Sequence, residues 1–376
     1  MATRVVAALD SFKGSMTAAE AVQVVCTELQ RIGTFDTVGV PMADGGEGTA
    51  DALVAARAGD WLTVEGVTGP LPEMVLDARI GWLADEGIAV VEMARASGLM
   101  LLPTDERQPM RTTTFGTGQT LRAAMKRGAQ TILLTLGGSA TVDGGTGAAR
   151  AVGWRFLDAD GRETGGNGES LHRIARIVAP DELPRVKVRA LCDVENPLCG
   201  PHGAARVYGP QKGATREMVL GLEEGLANLA RCIERDLGLV VEDMPGAGAA
   251  GGFGAGARAF LNADLVPGFD AVAETCSLSN ALADTDWVIT GEGRLDAQSL
   301  QGKVVSGVTR LARRAGVRVA VLAGAVSLSE ADWRAAGIEK VLACTPSSMD
   351  ETDAMRRAPD LLAKATRRLA AHLSED

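Results

Sequence analysis

The chain has little with which to hold zinc. Its three histidines, His172, His202 and His372, are scattered over 376 residues. Its six cysteines (Cys26, Cys192, Cys199, Cys232, Cys276 and Cys344) form no CxxC pair. That usage reads as reduced, mostly buried thiols of a cytoplasmic protein. No uninterrupted apolar stretch approaches the roughly 20 residues of a membrane span. The N-terminus enters an apolar strand at once and lacks a signal-peptide layout. Positive charge is in deficit: 38 Lys and Arg against 48 Asp and Glu give a net charge of −10. Such a chain is a poor candidate for binding nucleic acid through its phosphates. Any anionic ligand must be met by basic residues concentrated locally. A Walker A loop, GxxxxGK[ST], occurs nowhere. There is one tyrosine, but there are 46 glycines. The glycines are not periodic. They cluster after apolar runs, where glycine serves tight turns or close approach of backbone to a ligand.

The hydrophobic pattern alternates between the two regular structures. RVVAALD (4–10) reads as a buried strand, and a helix follows with Thr17 and Glu20 at capping-box spacing. Ala21, Val24, Val25 and Leu29 recur at helical spacing up to Gly33. A short strand is expected at 38–41, a loop at 43–48 and a helix from 49 to 59. Residues 61–93 read as strands joined by tight turns. A helix (118–128), a strong strand TILLTLG (131–137), a strand at 186–193 and a helix at 215–237 come next. Further strands are expected at 286–293, 317–324 and 338–343, with a last helix over 349–373. Alternating strands and helices imply an α/β fold with largely parallel sheets. The hairpin-like stretch suggests that one domain is discontinuous: 1–75 with 285–376, interrupted by an inserted α/β domain at 76–284.

Apolar strands stop repeatedly at an acid or a glycine: Asp10, Asp44, Gly137, Asp193, Gly291 and Gly324. Ligands of open α/β sheets bind outside the carboxyl ends of the strands, so these ends mark a cleft. GGSATVDGGTG (137–147) and GAGAAGGFGAG (246–256) are glycine loops opening into helices, which offer N–H groups to an anion. Gly246, Gly248 and Gly251 match GxGxxG, but no clean strand precedes them, and that fingerprint alone is weak. Phosphoryl transfer needs magnesium, cations over the phosphates and a carboxylate near the attacking hydroxyl. The acids available in such loops are Asp10, Asp44, Glu47, Asp143, Asp193, Glu292 and Asp296. The cations are Lys13, Lys212, Arg294 and Lys303. Capping is the competing role, for Asp10 and Asp143 above all.

Seven blocks taken together resemble the type I glycerate kinase family, the bacterial glycerate 2-kinases. They are DSFKGS (10–15), PMADGGEGT (41–49), GGSATVDGG (137–145), CDVENPLCG (192–200), YGPQKGA (208–214), GAGAAGGFGAG (246–256) and TGEGRLDAQSLQGK (290–303). Leu9, Val142, Glu195 and Tyr208 stand where the family commonly has Pro, Asn, Asp and Phe, and none of these departures removes a charged group. The resemblance implies ATP-dependent phosphorylation of D-glycerate at its 2-hydroxyl. It also implies a Rossmann-like domain built from both chain ends, an inserted second domain and an active site in the cleft. The expected partners are glycerate and ATP with Mg²⁺, without nucleic acid or membrane, in a monomer or homodimer.

On that basis Lys13 and Lys303 are expected to pair with phosphate or the glycerate carboxylate. Asp193 is expected to act as base or magnesium ligand, with Asp296 second for either role. Asp10, Ser11, Asp44, Gly45, Gly46 and Glu47 are assigned to substrate. Gly137, Gly138, Ser139, Lys212, Gly251 and Gly252 are assigned to nucleotide phosphate. Three other readings stay open: a 3-phosphoglycerate-forming kinase, an NAD-dependent hydroxy-acid oxidoreductase, and a non-catalytic binding protein.

Overall fold

A computed structural model describes residues 2–182 and 185–373. Thirteen strands follow in chain order among them: β1 (Thr3–Ala7), β2 (Phe35–Gly39), β3 (Asp60–Thr68), β4 (Val75–Leu83), β5 (Ile88–Glu92), β6 (Thr131–Thr135), β7 (Arg155–Leu157), β8 (Arg176–Val178), β9 (Lys187–Leu191), β10 (Asp264–Val266), β11 (Trp287–Leu295), β12 (Arg318–Val326) and β13 (Lys340–Ala343). They fall into two compact units. The first holds the chain up to Asp44, Asp51–Gly59, and everything from Pro267 on; the second holds Gly45–Ala50 and Asp60–Val266.

The first unit carries a five-stranded sheet in the order β13-β12-β11-β1-β2, with every pairing parallel. Both chain ends therefore share one sheet. The connections run outward in opposite directions from β1 to β2 and from β11 to β12 and β13, so the strand order switches between β1 and β11. The helix Ala18–Ile32 forms where its caps say it should. Glu20 N–H donates to Thr17 Oγ1 at 3.2 Å, and Thr17 N–H donates to Glu20 at 2.8 Å. Ala21, Val22, Val25 and Leu29 from that helix join Val5, Ala7, Trp287, Leu322, Leu362 and Leu369 in one core. The expected terminal helix is two helices, Glu351–Arg356 and Ala358–Leu373. Pro359 accounts for the break: it has no N–H to donate to the preceding turn, which suits it only to the first turn of a new helix.

The second unit carries a six-stranded mixed sheet, β10-β9-β6-β5-β4-β3, and a small β7-β8 hairpin. β5, β6, β9 and β10 are parallel, while β3 and β4 are antiparallel neighbours at one edge. This differs from the boundaries expected at 75/76 and 284/285. β3 pairs with β4 across a tight turn, because a hairpin satisfies both ladders locally, and so it joins the second sheet. At the other end, the helix Gly268–Thr275 belongs to the first unit, where Phe269 fills the space above Gly307.

Candidate functional site

In the first unit, residues from the carboxyl ends of four strands line a cavity of about 520 Å³. Asp10, Ser11 and Lys13 follow β1; Asp44 follows β2; Glu292 and Arg294 lie at the end of β11; Gly324 and Ala325 lie at the end of β12. Asp296 and Lys303 complete the charged part of the wall. The cavity sits at the switch point of the strand order, which is where open α/β sheets bind ligands. Of the strand ends read from the sequence, Asp10, Asp44 and Gly324 line this cavity, while Gly137 and Asp193 belong to the second unit.

The electrostatics of this cavity are those of crowded acids. Asp10 is buried, and its carboxyl is raised to about 7, first by that burial, then by Asp44; the Ser11 N–H opposes the rise, and Glu292 adds to it. Ser11 N–H donates to Asp10 Oδ1 at 2.6 Å, so Asp10 also caps its own turn. Glu292 is likewise raised, chiefly by burial, and its Oε1 has no hydrogen-bond partner. Asp296 is committed in part: its Oδ1 accepts from Gln298 N–H at 2.8 Å as the cap of a short 3₁₀ turn. Lys303 caps the helix Val304–Ala315 with its backbone and sends its ammonium 3.4 Å from Gln298 Oε1.

Blocks far apart in sequence interlock in the second unit. Lys212 is buried, and its Nζ donates to Ser139 Oγ and to the Thr141 carbonyl, each at 2.7 Å. Burial lowers its pKa to about 7, against the attraction of Asp143. Asp143 is wholly buried and accepts from the N–H groups of Thr114, Gly145 and Gly147 and from Thr114 Oγ1. It is an internal brace of the loop, in line with the capping role weighed from sequence. Gly144 N–H donates to the Gly251 carbonyl, and a Cβ on Gly251 would stand 2.0 Å from the Thr141 carbonyl oxygen. Gly252 N–H is taken by the Gly248 carbonyl, and a Cβ on Gly252 would meet Leu198 at 2.8 Å and Leu226 at 2.9 Å. Both glycines are buried in loop-on-loop packing.

Gly137 and Gly46 approach so closely that a Cβ on Gly137 would lie 3.0 Å from the Gly46 Cα. The loop Gly45–Glu47 therefore stands directly against Gly137–Ser139. Gly138 and Glu47 are exposed, Gly45 and Ser139 are buried. Asp193 is exposed just past β9 and is held near the other loops by the segment after it. There Tyr208 Oη donates to Asn196 Oδ1 at 2.7 Å, and Gly248 N–H donates to the Asn196 carbonyl. Asp193 belongs to the second unit and Asp296 to the first. Val142, where an amide is common in the family, is fully buried among Leu222, Leu226 and Leu229. An apolar side chain suits that place.

Two features escaped the sequence reading. Glu92 ends the apolar strand β5 and is buried, and it accepts from Ala50 N–H at 2.9 Å and from Arg95 Nε at 2.5 Å. The rule of acids at strand ends covers it. Thr112, Thr113 and Thr114 are buried and donate to Ala140, Gly166 and Asp143 respectively. A threonine triplet just before a helix was the available signal.

Among the described residues no group of three metal-ligating side chains converges. No helix among them is long and apolar enough to cross a membrane. The GxGxxG glycines follow a long helix and a loop, not a strand, which removes the geometry of a dinucleotide fingerprint.

The model of the glycerate kinase family matches residues 5–374. A Halalkalibacterium halodurans protein named glycerate kinase is 45% identical over 97% of each chain. An Escherichia coli K12 protein named glycerate 2-kinase is 41% identical over 99% of this chain and 98% of its own. A crystal structure from Salmonella typhimurium LT2, described as a glycerate kinase 2, superimposes with a TM-score of 0.90 at 39% identity, covering 99% and 98% of the two chains.

Proposed function

The chain belongs to the glycerate kinase family, and on that premise we propose that it transfers the γ-phosphoryl group of ATP to the 2-hydroxyl of D-glycerate, giving 2-phosphoglycerate and ADP. The observation that carries this reading is full-length similarity to a protein named glycerate 2-kinase. The geometry agrees with it. A kinase must neutralise phosphate oxygens, position an alcohol and keep a carboxylate beside it. The cavity of the first unit offers Lys13, Arg294 and Lys303 together with Asp10, Asp44, Glu292 and Asp296.

Lys13 and Lys303 pair with phosphate oxygens or the glycerate carboxylate. Asp10, Ser11 and Asp44 orient the acceptor. Asp10, held near neutrality, changes its protonation where a general base is most useful, so it joins Asp193 and Asp296 as a candidate for that role. In the second unit Gly137, Gly138 and Ser139, with Gly45, Gly46 and Glu47 against them, contact an anionic group of a reactant. Lys212 acts there as a strut, since its ammonium is spent on Ser139 and Thr141.

Magnesium fits the donor set. The crowded oxygens of Asp10, Asp44 and Glu292, one of them unpartnered, favour a hard cation. Magnesium takes one or two carboxylates and keeps water and phosphate oxygens as its other ligands. Asp296, in the same wall, is a further candidate ligand. Bound Mg²⁺ would neutralise charge on the phosphates; the protein's own residues orient and desolvate.

The test is to mix purified protein with ATP, Mg²⁺ and D-glycerate, follow ADP release, and identify the product by phosphorus NMR. Glycerate-dependent ADP with 2-phosphoglycerate establishes the reading. A 3-phosphoglycerate product would keep the kinase and overturn the position of transfer.

A further inference from the structure

The cavity of the first unit is lined by the charged groups described above and by the apolar residues Phe12, Met349, Ala354, Met355 and Ala358. Resting on the kinase reading, we propose that the adenine ring of the nucleotide lies against these apolar residues, with its phosphates running toward Lys13, Arg294 and Lys303. The sequence placed nucleotide contacts on the glycine loops of the second unit instead.

These observations carry the proposal. Met355 is a large apolar side chain left 41% exposed, and it lines a cavity that is otherwise largely ionic in its side chains. Apolar surface in that position gains when a ring covers it. Its Sδ and Cε lie 3.7 Å from the place of a Cβ on Gly14, so the thioether rests on the same loop that carries Lys13. The flexible, polarizable thioethers of Met349 and Met355 suit the edge and face of a flat heterocycle. Glu351 and Thr345, which also line the cavity, supply polar atoms for exocyclic or ribose groups. The volume of about 520 Å³ falls within the usual range for a small-molecule pocket. Finally, the cavity lies at the switch point between β1 and β11, the customary nucleotide position of open parallel sheets.

The experiment uses the full chain and the variants Met355→Gln and Met349→Gln/Met355→Gln, each checked for folding by thermal unfolding. Three quantities are read: KM for ATP, KM for D-glycerate, and inhibition by inorganic tripolyphosphate, which has phosphates and no base. ADP binding by equilibrium dialysis, without glycerate, adds a measurement that needs no turnover. The expected result is that KM for ATP and the ADP dissociation constant rise about tenfold in the double variant, while the other two quantities stay within about twofold. Unchanged ATP and ADP affinity in both variants overturns the proposal. Equal weakening of ATP and tripolyphosphate overturns it too, because the substitution would then act on the phosphate end. Absence of glycerate turnover in the wild type, with ADP binding present and lost in the double variant, would sink the glycerate reading and leave this one standing.

Discussion

The ammonium of Lys212 donates a 2.7 Å hydrogen bond to the hydroxyl of Ser139, joining two loops 73 residues apart in the chain. It makes a second bond of the same length to the Thr141 carbonyl. Both acceptors belong to the glycine loop after β6, which also stands against Gly46. The lysine is therefore expected to set the shape of that loop.

Replacing it by methionine, Lys212→Met, keeps the length and removes the donors. Two buried acceptors are left unpaired, at a cost of about 1–3 kcal/mol for each such group, partly offset because no charge is buried any longer. The turnover number is expected to fall by about tenfold or more as the loop loses its geometry. Steady-state kinetics with a denaturant titration check both. Wild-type turnover at wild-type stability would show that the strut is idle.

Stability should depend on pH with two opposed slopes. Asp10 has its folded pKa raised from 3.8 to about 7. Between those values the folded state holds a proton that the unfolded state has lost, so stability falls as pH rises through that window. Lys212 is lowered from 10.5 to about 7. Between 7 and 10.5 the unfolded state holds the extra proton, so stability rises with pH there. The summed contribution of the two groups is lowest near neutrality. Thermal unfolding in metal-free buffer should lose the acidic slope in Asp10→Asn and the alkaline slope in Lys212→Met. Parallel curves for variants and wild type would contradict both assignments.

Lys13→Ala, Lys303→Ala and Asp193→Ala are expected to lower turnover by orders of magnitude while leaving the fold intact. Lys13 and Asp193 are exposed, so their removal creates no cavity. Chelation of divalent metal should abolish activity, and added Mg²⁺ should restore it. Near-normal rates in both Lys13→Ala and Asp193→Ala would remove those residues from the site.

Gly251→Ala tests whether that glycine is structural. Its φ of +68° is a left-handed backbone that alanine adopts at a cost, and the added Cβ would meet the Thr141 carbonyl oxygen at 2.0 Å. A loss of more than about 3 kcal/mol, or failure to fold, is expected. By contrast Thr17→Ala removes only a cap on an exposed turn and should cost about 1 kcal/mol. Denaturant titration of the two variants separates the cases. A stable, inactive Gly251→Ala protein would instead favour a ligand-binding glycine.

Much of the fold was legible because its signals are local. The capping box at Thr17 and Glu20 needs only four neighbouring residues, and the β-branched runs of β1, β6 and β11 announce buried strands. The residues that end β1 and β6, Asp10 and Gly137, were legible for the same reason. The domain boundary was not, because β3 chooses β4 as its partner through a hairpin ladder that spacing alone does not reveal. Gly251 and Gly252 read as a phosphate loop, since a glycine that receives a ligand and one that receives a neighbouring loop look alike in sequence.

The amino-acid sequence by itself determined the alternation of strands and helices, the helix limits at Thr17 and Gly33, the charged strand ends and the family. These are short-range consequences of periodicity, capping and turn chemistry, or of blocks read in order. Only the tertiary structure decided that Lys212 braces Ser139, that Asp143 is an internal brace, that Asp10 and Glu292 share one crowded cavity, and that Met349 and Met355 line it as well. Each of these follows from which segments the sheets bring together. Burial and charge become strong only once distant residues have been placed a few ångströms apart, away from water.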